Sequence, residues 1–349
     1  MQDTTRRGFI QGVVSAGGAL LVVGSRSSIA AQTPAAAIDI VVRETNDAIE
    51  IETDALKAMV RKNGYISGIA AGSLLDKKTG VRDVGFGLHI MDFLMAPGWR
   101  DDGYERNPKL HGDLPKHYVE GPQICTKAKA LPLKVTRGDS FVAVQMAFTF
   151  TDPGKGYKAG STWEQTLVFR PGLRYVLTSE RIISVNAVND LFYRIDMPGH
   201  IRHKNGDTFE QIYLSYRDKP IPATAFAESF GPDEKFLYQR QAGSIPERFI
   251  RAYQVKLDDK PGPWLAGMTL HPAAVSEAWC HQRGYVCFIQ ELHQRDTKAG
   301  EALGAAYIVG WFDDVPQMQH AYDEYKGVIG LDVRDGKVEV RRAPAREDG

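Results

Sequence analysis

At 349 residues the chain can form one large β domain or two smaller ones, with a substantial core in either case. Its 43 Lys and Arg balance 43 Asp and Glu, which excludes the basic footprint of a nucleic-acid-binding protein but leaves room for a local cationic groove. There is no internal repeat and no low-complexity segment.

The N-terminus carries Thr5-Arg6-Arg7-Gly8-Phe9-Ile10, which resembles the twin-arginine export motif. A Gly-rich apolar run from Val13 to Val23 follows, and Ser28, Ala30 and Ala31 offer a cleavage site. The run falls short of the roughly 20 residues that span a bilayer, so residues 1–31 are expected to be a signal peptide rather than an anchor. The expected destination is the periplasm or beyond, by the twin-arginine pathway, with no stable membrane insertion after the signal is removed. Residues 32–37 read as a linker, 38–327 as a β-sandwich domain and 328–349 as a C-terminal strand with a charged tail.

Strand patterns then follow in series. Ile38 to Val42, Ala48 to Ile51, Lys57 to Val60, Tyr65 to Ile69 and Val84 to Met91 alternate apolar and polar residues between polar turns. Residues 96–121, rich in Pro, Gly, Asp and Trp and including Trp99, Asp101, Asp102 and Tyr104, read as a long surface loop. Leu131 to Thr136 and Phe141 to Thr151 are strands, and Thr162 to Phe169 with Arg174 to Val185 form a hairpin about Pro171-Gly172. Leu191 to Met197 alternates, is broken by Pro198-Gly199, and the pattern resumes after Asn205-Gly206 at Ile212 and Leu214. Five more strands run between Phe249 and Phe312. One helix follows, with Asp314 as its cap, Pro316 in its first turn, Met318, Ala321 and Tyr325 as its buried stripe, and Gly327 after its end.

About a dozen strands with a single short C-terminal helix predict an all-β fold, a large antiparallel β-sandwich. Opening strands through Gly64-Tyr65-Ile66-Ser67-Gly68, a turn at Asp76-Lys77-Lys78-Thr79-Gly80 and long antiparallel strands thereafter resemble the galactose-mutarotase-like supersandwich. The resemblance would cover residues 38–325. It implies the fold of aldose epimerases, several polysaccharide lyases and glycosidases, and so a carbohydrate substrate, without fixing the reaction.

Two constellations could carry chemistry. The first is the stretch around Pro198-Gly199, where His200, Arg202, His203 and Lys204 are expected on a loop held by strands, with Arg194, Asp196, Asp207 and Tyr213 nearby. Imidazole and phenol can move protons, and a guanidinium matches a carboxylate bidentately, which are the requirements of elimination at a uronic acid. A metal site on His200 and His203 would need a third ligand such as Asp196, Asp207 or His271; no metal or other cofactor is assigned.

The second is Ser276 to Glu291. With Arg283-Gly284 as a two-residue turn, Cys280 would oppose Cys287, close enough for a cross-strand disulfide. Glu277, Trp279, His281, Phe288 and Gln290 would then share a face suited to a sugar ring. Cys125 is the third cysteine, and no C-x-x-C motif is present. Trp163, Trp264 and Trp311 are further aromatic candidates, the last two inside apolar strands.

G-x-G-x-x-G, P-loop and G-x-S-x-G motifs are absent. The leading expectation is a lyase in which His200 or His203 is the base and Tyr213 or His281 the acid. Arg202 or Arg194 holds the substrate carboxylate, while Glu277, Trp279 and Gln290 contact the sugar. The alternatives are a glycoside hydrolase or aldose epimerase pairing Glu277 with a histidine, and a non-catalytic sugar-binding envelope protein.

Overall fold

The computed structural model describes residues 40–63, 68–98, 115–121, 128–203, 208–232, 234–240, 245–258 and 260–344. The expected signal peptide, Trp99, Asp101, Asp102, Tyr104, Cys125, Lys204 and Asp207 lie outside the described residues.

Two antiparallel sheets stack face to face. The larger has twelve strands, with the order Val41–Glu44, Ala48–Glu52, Leu56–Arg61, Ile69–Ala70, Gly85–Leu88, Val188–Arg202, Tyr285–Thr297, Val275–Gln282, Tyr238–Gln239. Leu75–Asp76 joins it beside Leu56–Arg61, while Ile90–Pro97 pairs with Val188–Arg202 and Lys116–Glu120 pairs with Ile90–Pro97. The smaller sheet has nine strands, running from Ile221–Pro222 through Phe209–Leu214, Ile250–Leu257, Lys260–Thr269, Ala302–Phe312, Tyr175–Ile183, Thr162–Phe169 and Phe141–Thr149 to Leu133–Gly138.

Alternation along these strands sorts the side chains into layers. Tyr193, Ile195, Met197 and Phe288 of the larger sheet meet Leu167, Val176, Leu265 and Val309 of the smaller in the inter-sheet core. Trp163 and Trp311 are buried there; their ring N–H groups donate to Glu180 and to the Leu74 carbonyl. The other face of the smaller sheet is covered by the helix Val315–Tyr325 and by the hairpin Val328–Arg334 with Lys337–Arg342, so Trp264 packs in a second apolar layer with Met318, Tyr322 and Leu331. The helix forms as its sequence predicts: Asp314 accepts from the Gln317 amide at 2.8 Å, and Met318, Ala321 and Tyr325 face inward. No helix among the described residues is long and apolar enough to cross a membrane.

Two expectations are corrected. Pro198-Gly199 does not end its strand; the strand runs unbroken from Val188 to Arg202, with an irregularity between Asp196 and His200. The neighbouring strand tolerates this because both chains are glycine at the crossing: Gly199 has φ +92°, and a Cβ there would stand 1.8 Å from the Gly87 carbonyl oxygen. Residues 116–120, expected within a loop, form a strand that is buried along its whole length.

Candidate active site

The outer face of the larger sheet, away from the smaller one, carries a grid of side chains on three adjacent strands. Glu277 pairs with Glu291, which pairs with Arg194. Two residues along, Trp279 pairs with Ile289 and Ile289 with Asp196. Two further along, His281 pairs with Cys287 and Cys287 with His200. Period-2 alternation puts all nine on one face, and the irregularity after Asp196 absorbs two extra residues, so that His200, four residues on, stays in line with Cys287, two residues from Ile289.

The first row opposes two carboxylates, which is unfavourable without compensation. Compensation comes from two cations. Arg194 donates to Glu291 Oε1 from Nε at 3.1 Å and from Nη2 at 2.5 Å. Lys116, arriving from the strand Lys116–Glu120, donates from Nζ to Glu291 Oε2 at 2.9 Å and to Glu277 Oε2 at 2.8 Å. Burial would raise the pKa of Glu291, but the charges of Lys116 and Arg194 outweigh it and hold the carboxylate below its ordinary range. For Glu277 the balance is reversed. Burial and the repulsion of Glu291 push it up, against Lys116 and Arg194. Two neighbouring carboxyls thus stay in different protonation states over a wider pH range than isolated ones would.

Trp279 underlies both cations. The Lys116 Nζ stands 4.9 Å and the Arg194 guanidinium carbon 5.0 Å from its ring centroid, and the residue is 1 % exposed. It is therefore a support for the cations rather than an open stacking platform. Arg194 also lies over Phe93 and Lys116 over Phe192.

At the other end of the grid, His200 Nε2 is hydrogen-bonded to Asp196 Oδ2. Its ring stacks on Tyr285 at 5.5 Å, and His281 meets Tyr285 edge-on at 6.1 Å. Burial holds His281 down to about 4, so it is neutral at pH 7. Ligand atoms of Asp196, His200 and Cys287 all lie within 4.8 Å of one another. Arg202 pairs with Tyr285 at the exposed edge of the same face.

Of the residues proposed from sequence, Arg194, His200, Arg202, Glu277, Trp279 and His281 are on this face. Three are elsewhere. His203 is buried, stacked at 3.9 Å on Phe209 of the inter-sheet core and bonded to Thr208 Oγ1 at 2.8 Å, so it cannot share an ion with His200. Tyr213 lies beneath the helix, where its hydroxyl accepts from Gln319 Nε2 at 3.3 Å. Gln290 faces the core and accepts from Thr269 Oγ1 at 2.8 Å.

Phe288 and Gln290 miss the face because the hairpin turns over three residues, Arg283 to Tyr285, with Gly284 at φ +82°. That one-residue slip pairs Cys280 with Phe288 and Cys287 with His281, putting the two thiols on opposite faces, and no disulfide joins them. Burial pushes the Cys280 thiol up to about 12, leaving it inert. Sequence reasoning missed Lys116, Glu291, Tyr285 and Cys287 as site residues. Glu291 and Cys287 belong to the hairpin that begins at Ser276 and needed only the right register; Lys116 had no periodic signal around it.

No known protein family matches the sequence, and no characterised protein matches it as a relative. Solved structures similar in backbone include an alpha-mannosidase from Enterococcus faecalis V583 (9% identity, TM-score 0.45, covering 79% of this chain and 30% of that one). Another is a putative aldose 1-epimerase from Klebsiella pneumoniae subsp. pneumoniae MGH 78578 (8% identity, TM-score 0.44, 82% of this chain and 86% of that one). A third is the galactose 1-epimerase from Lactobacillus acidophilus NCFM (9%, TM-score 0.40, 79% and 99%). The chain spans about a third of the mannosidase.

Proposed function

We propose that this protein is a carbohydrate-active enzyme working by acid–base catalysis at an anomeric or glycosidic position, as an aldose epimerase or a glycoside hydrolase does. The observation that carries this is a buried carboxyl, Glu277, and an Asp196-bound imidazole, His200, on one face of the larger sheet. Glu277 keeps its proton to higher pH than an ordinary glutamic acid, which suits a donor to a ring or leaving oxygen. Asp196 holds the His200 proton on Nε2 and makes Nδ1 the basic nitrogen. Four residues of strand separate the two rows by about 13 Å, and the two strand steps from Glu277 to His200 add about 10 Å across the sheet; Glu277 bonds to Lys116 and His200 to Asp196. Lys116 and Arg194 direct donors to the protein's own carboxylates, which leaves them poorly placed to seize a substrate carboxylate.

One observation supports a second reading, elimination at a uronic acid: His200, Tyr285 and the exposed Arg202 stand together and supply a base, an acid and a partner for the substrate carboxylate.

A single panel separates the two. The protein is incubated with free aldoses, aryl glycosides and uronic-acid polysaccharides, following optical rotation, released aglycone and ultraviolet absorbance. Mutarotation or hydrolysis is expected, falling at least about 100-fold in Glu277→Gln while the variant still unfolds cooperatively. Rising absorbance that depends on Arg202 would establish elimination instead. Silence in all three would remove the enzymatic reading.

A further inference from the structure

Asp196, His200 and Cys287 offer an oxygen, a nitrogen and a sulfur ligand from two adjacent strands, mutually within 4.8 Å and largely buried. A tetrahedral zinc ion with bonds of about 2.0–2.3 Å holds its ligand atoms roughly 3.3–3.8 Å apart, a spacing that small side-chain rotations reach from the present arrangement. We propose that these three residues bind a divalent ion of the zinc class. Three protein ligands leave a fourth position, the arrangement of zinc sites that act on a bound water or substrate. The mixed donor set, with one thiolate and one imidazole, favours zinc over calcium or magnesium, which prefer oxygen alone.

Three further observations support the site. Asp196 Oδ1 is buried without a hydrogen-bond partner among the described residues, and a buried carboxylate oxygen is costly unless a donor or cation meets it. His281 follows Cys287 in the same cross-strand row, and its buried Nδ1 likewise has no partner among the described residues. The backbone that carries the ligands is fixed from below by Arg251 of the smaller sheet. Its Nη2 donates to the carbonyls of Met197 at 2.9 Å and Phe288 at 3.0 Å, and its Nη1 to that of Ile289 at 2.6 Å. Met197 adjoins Asp196 and Phe288 adjoins Cys287, so one guanidinium sets the spacing of the two ligand-bearing strands.

The ion extends the catalytic reading without depending on it. Were the ion bound, Asp196, His200 and Cys287 would hold it, His200 would serve as a ligand rather than as the base, and the ion would supply Lewis acidity at its fourth position while Glu277 keeps its role as proton donor.

The test uses the full chain, stripped with chelator and titrated with cobalt(II) as a spectroscopic substitute, with calorimetry for zinc(II). One equivalent is expected to bind, with a thiolate-to-cobalt charge-transfer band in the near ultraviolet. Removing the other two thiols in a Cys125→Ala/Cys280→Ala double variant should leave that band intact, so the wild type and this variant suffice to assign Cys287 even if Cys287→Ser folds poorly. Cys287→Ser should abolish the band, and Asp196→Asn should weaken zinc binding at least tenfold. Absence of saturable binding, or a band that survives Cys287→Ser, overturns the site. Activity that persists through chelation and still falls in Glu277→Gln would preserve the catalytic reading while removing a catalytic role for the ion, so the two fail separately.

Discussion

Lys116 joins what the strand register sets in conflict. Glu277 and Glu291 face each other across one ladder position, and a single ammonium contacts both. Lys116→Met should therefore lower unfolding free energy by about 3–5 kcal/mol in urea titration, because it leaves a buried carboxylate short of charge. Adding Glu277→Gln should recover part of that loss by removing the repulsion. The pH dependence follows from the two shifts. Glu277, raised in the fold, contributes stability that is present below its unfolded pKa and is lost as pH rises through its folded one. Glu291, lowered in the fold, contributes stability above its unfolded pKa that is lost as pH falls through its folded one. Glu277→Gln should thus gain on the wild type as pH rises from acid to neutral, checked by denaturant midpoints across that range.

At the scale of the element, the Val188–Arg202 strand depends on Gly199, which combines a left-handed φ with close approach to Gly87. Gly199→Ala should destabilise by about 3 kcal/mol or more, read from the denaturation midpoint, and the hydrogen bond between Asp196 and His200 should be the first to break. The helix depends less on any one residue. Asp314→Ala removes the bond to the Gln317 amide and should cost about 1 kcal/mol, with no effect on the opposite face of the molecule.

At the scale of the molecule, the buried histidines set the acid limit. His293 is bonded through Nε2 to the Gly304 carbonyl at 3.0 Å, and burial holds it down to about 4 from an ordinary 6.5. The unfolded chain takes up that proton first, so the stability contribution is complete above 6.5 and is lost as pH falls toward 4, on the order of 3 kcal/mol. The slope of melting temperature against pH between those values should flatten in His293→Gln, whose amide can still donate to Gly304.

Local periodicity was enough for much of the fold. The hairpin Thr162–Phe169 with Tyr175–Ile183 and the capped helix are written in alternation, turn residues and a cap, each readable within a few neighbouring residues. The candidate site was half legible for the same reason: Glu277, Trp279 and His281 share a face by alternation alone, whatever they pair with. What they pair with was not legible. A two-residue and a three-residue turn at Arg283 differ by one register step, and that step decides whether Cys287 meets Cys280 or stands between His200 and His281. Lys116 was invisible because a buried strand covered on both sides has no period to read, and its meaning comes from two carboxylates 161 and 175 residues away. Alternation is a property of one strand and is set by its own residues; register, opposing charge and shared ligands are properties of pairs of strands, and only the packed sheets decide them.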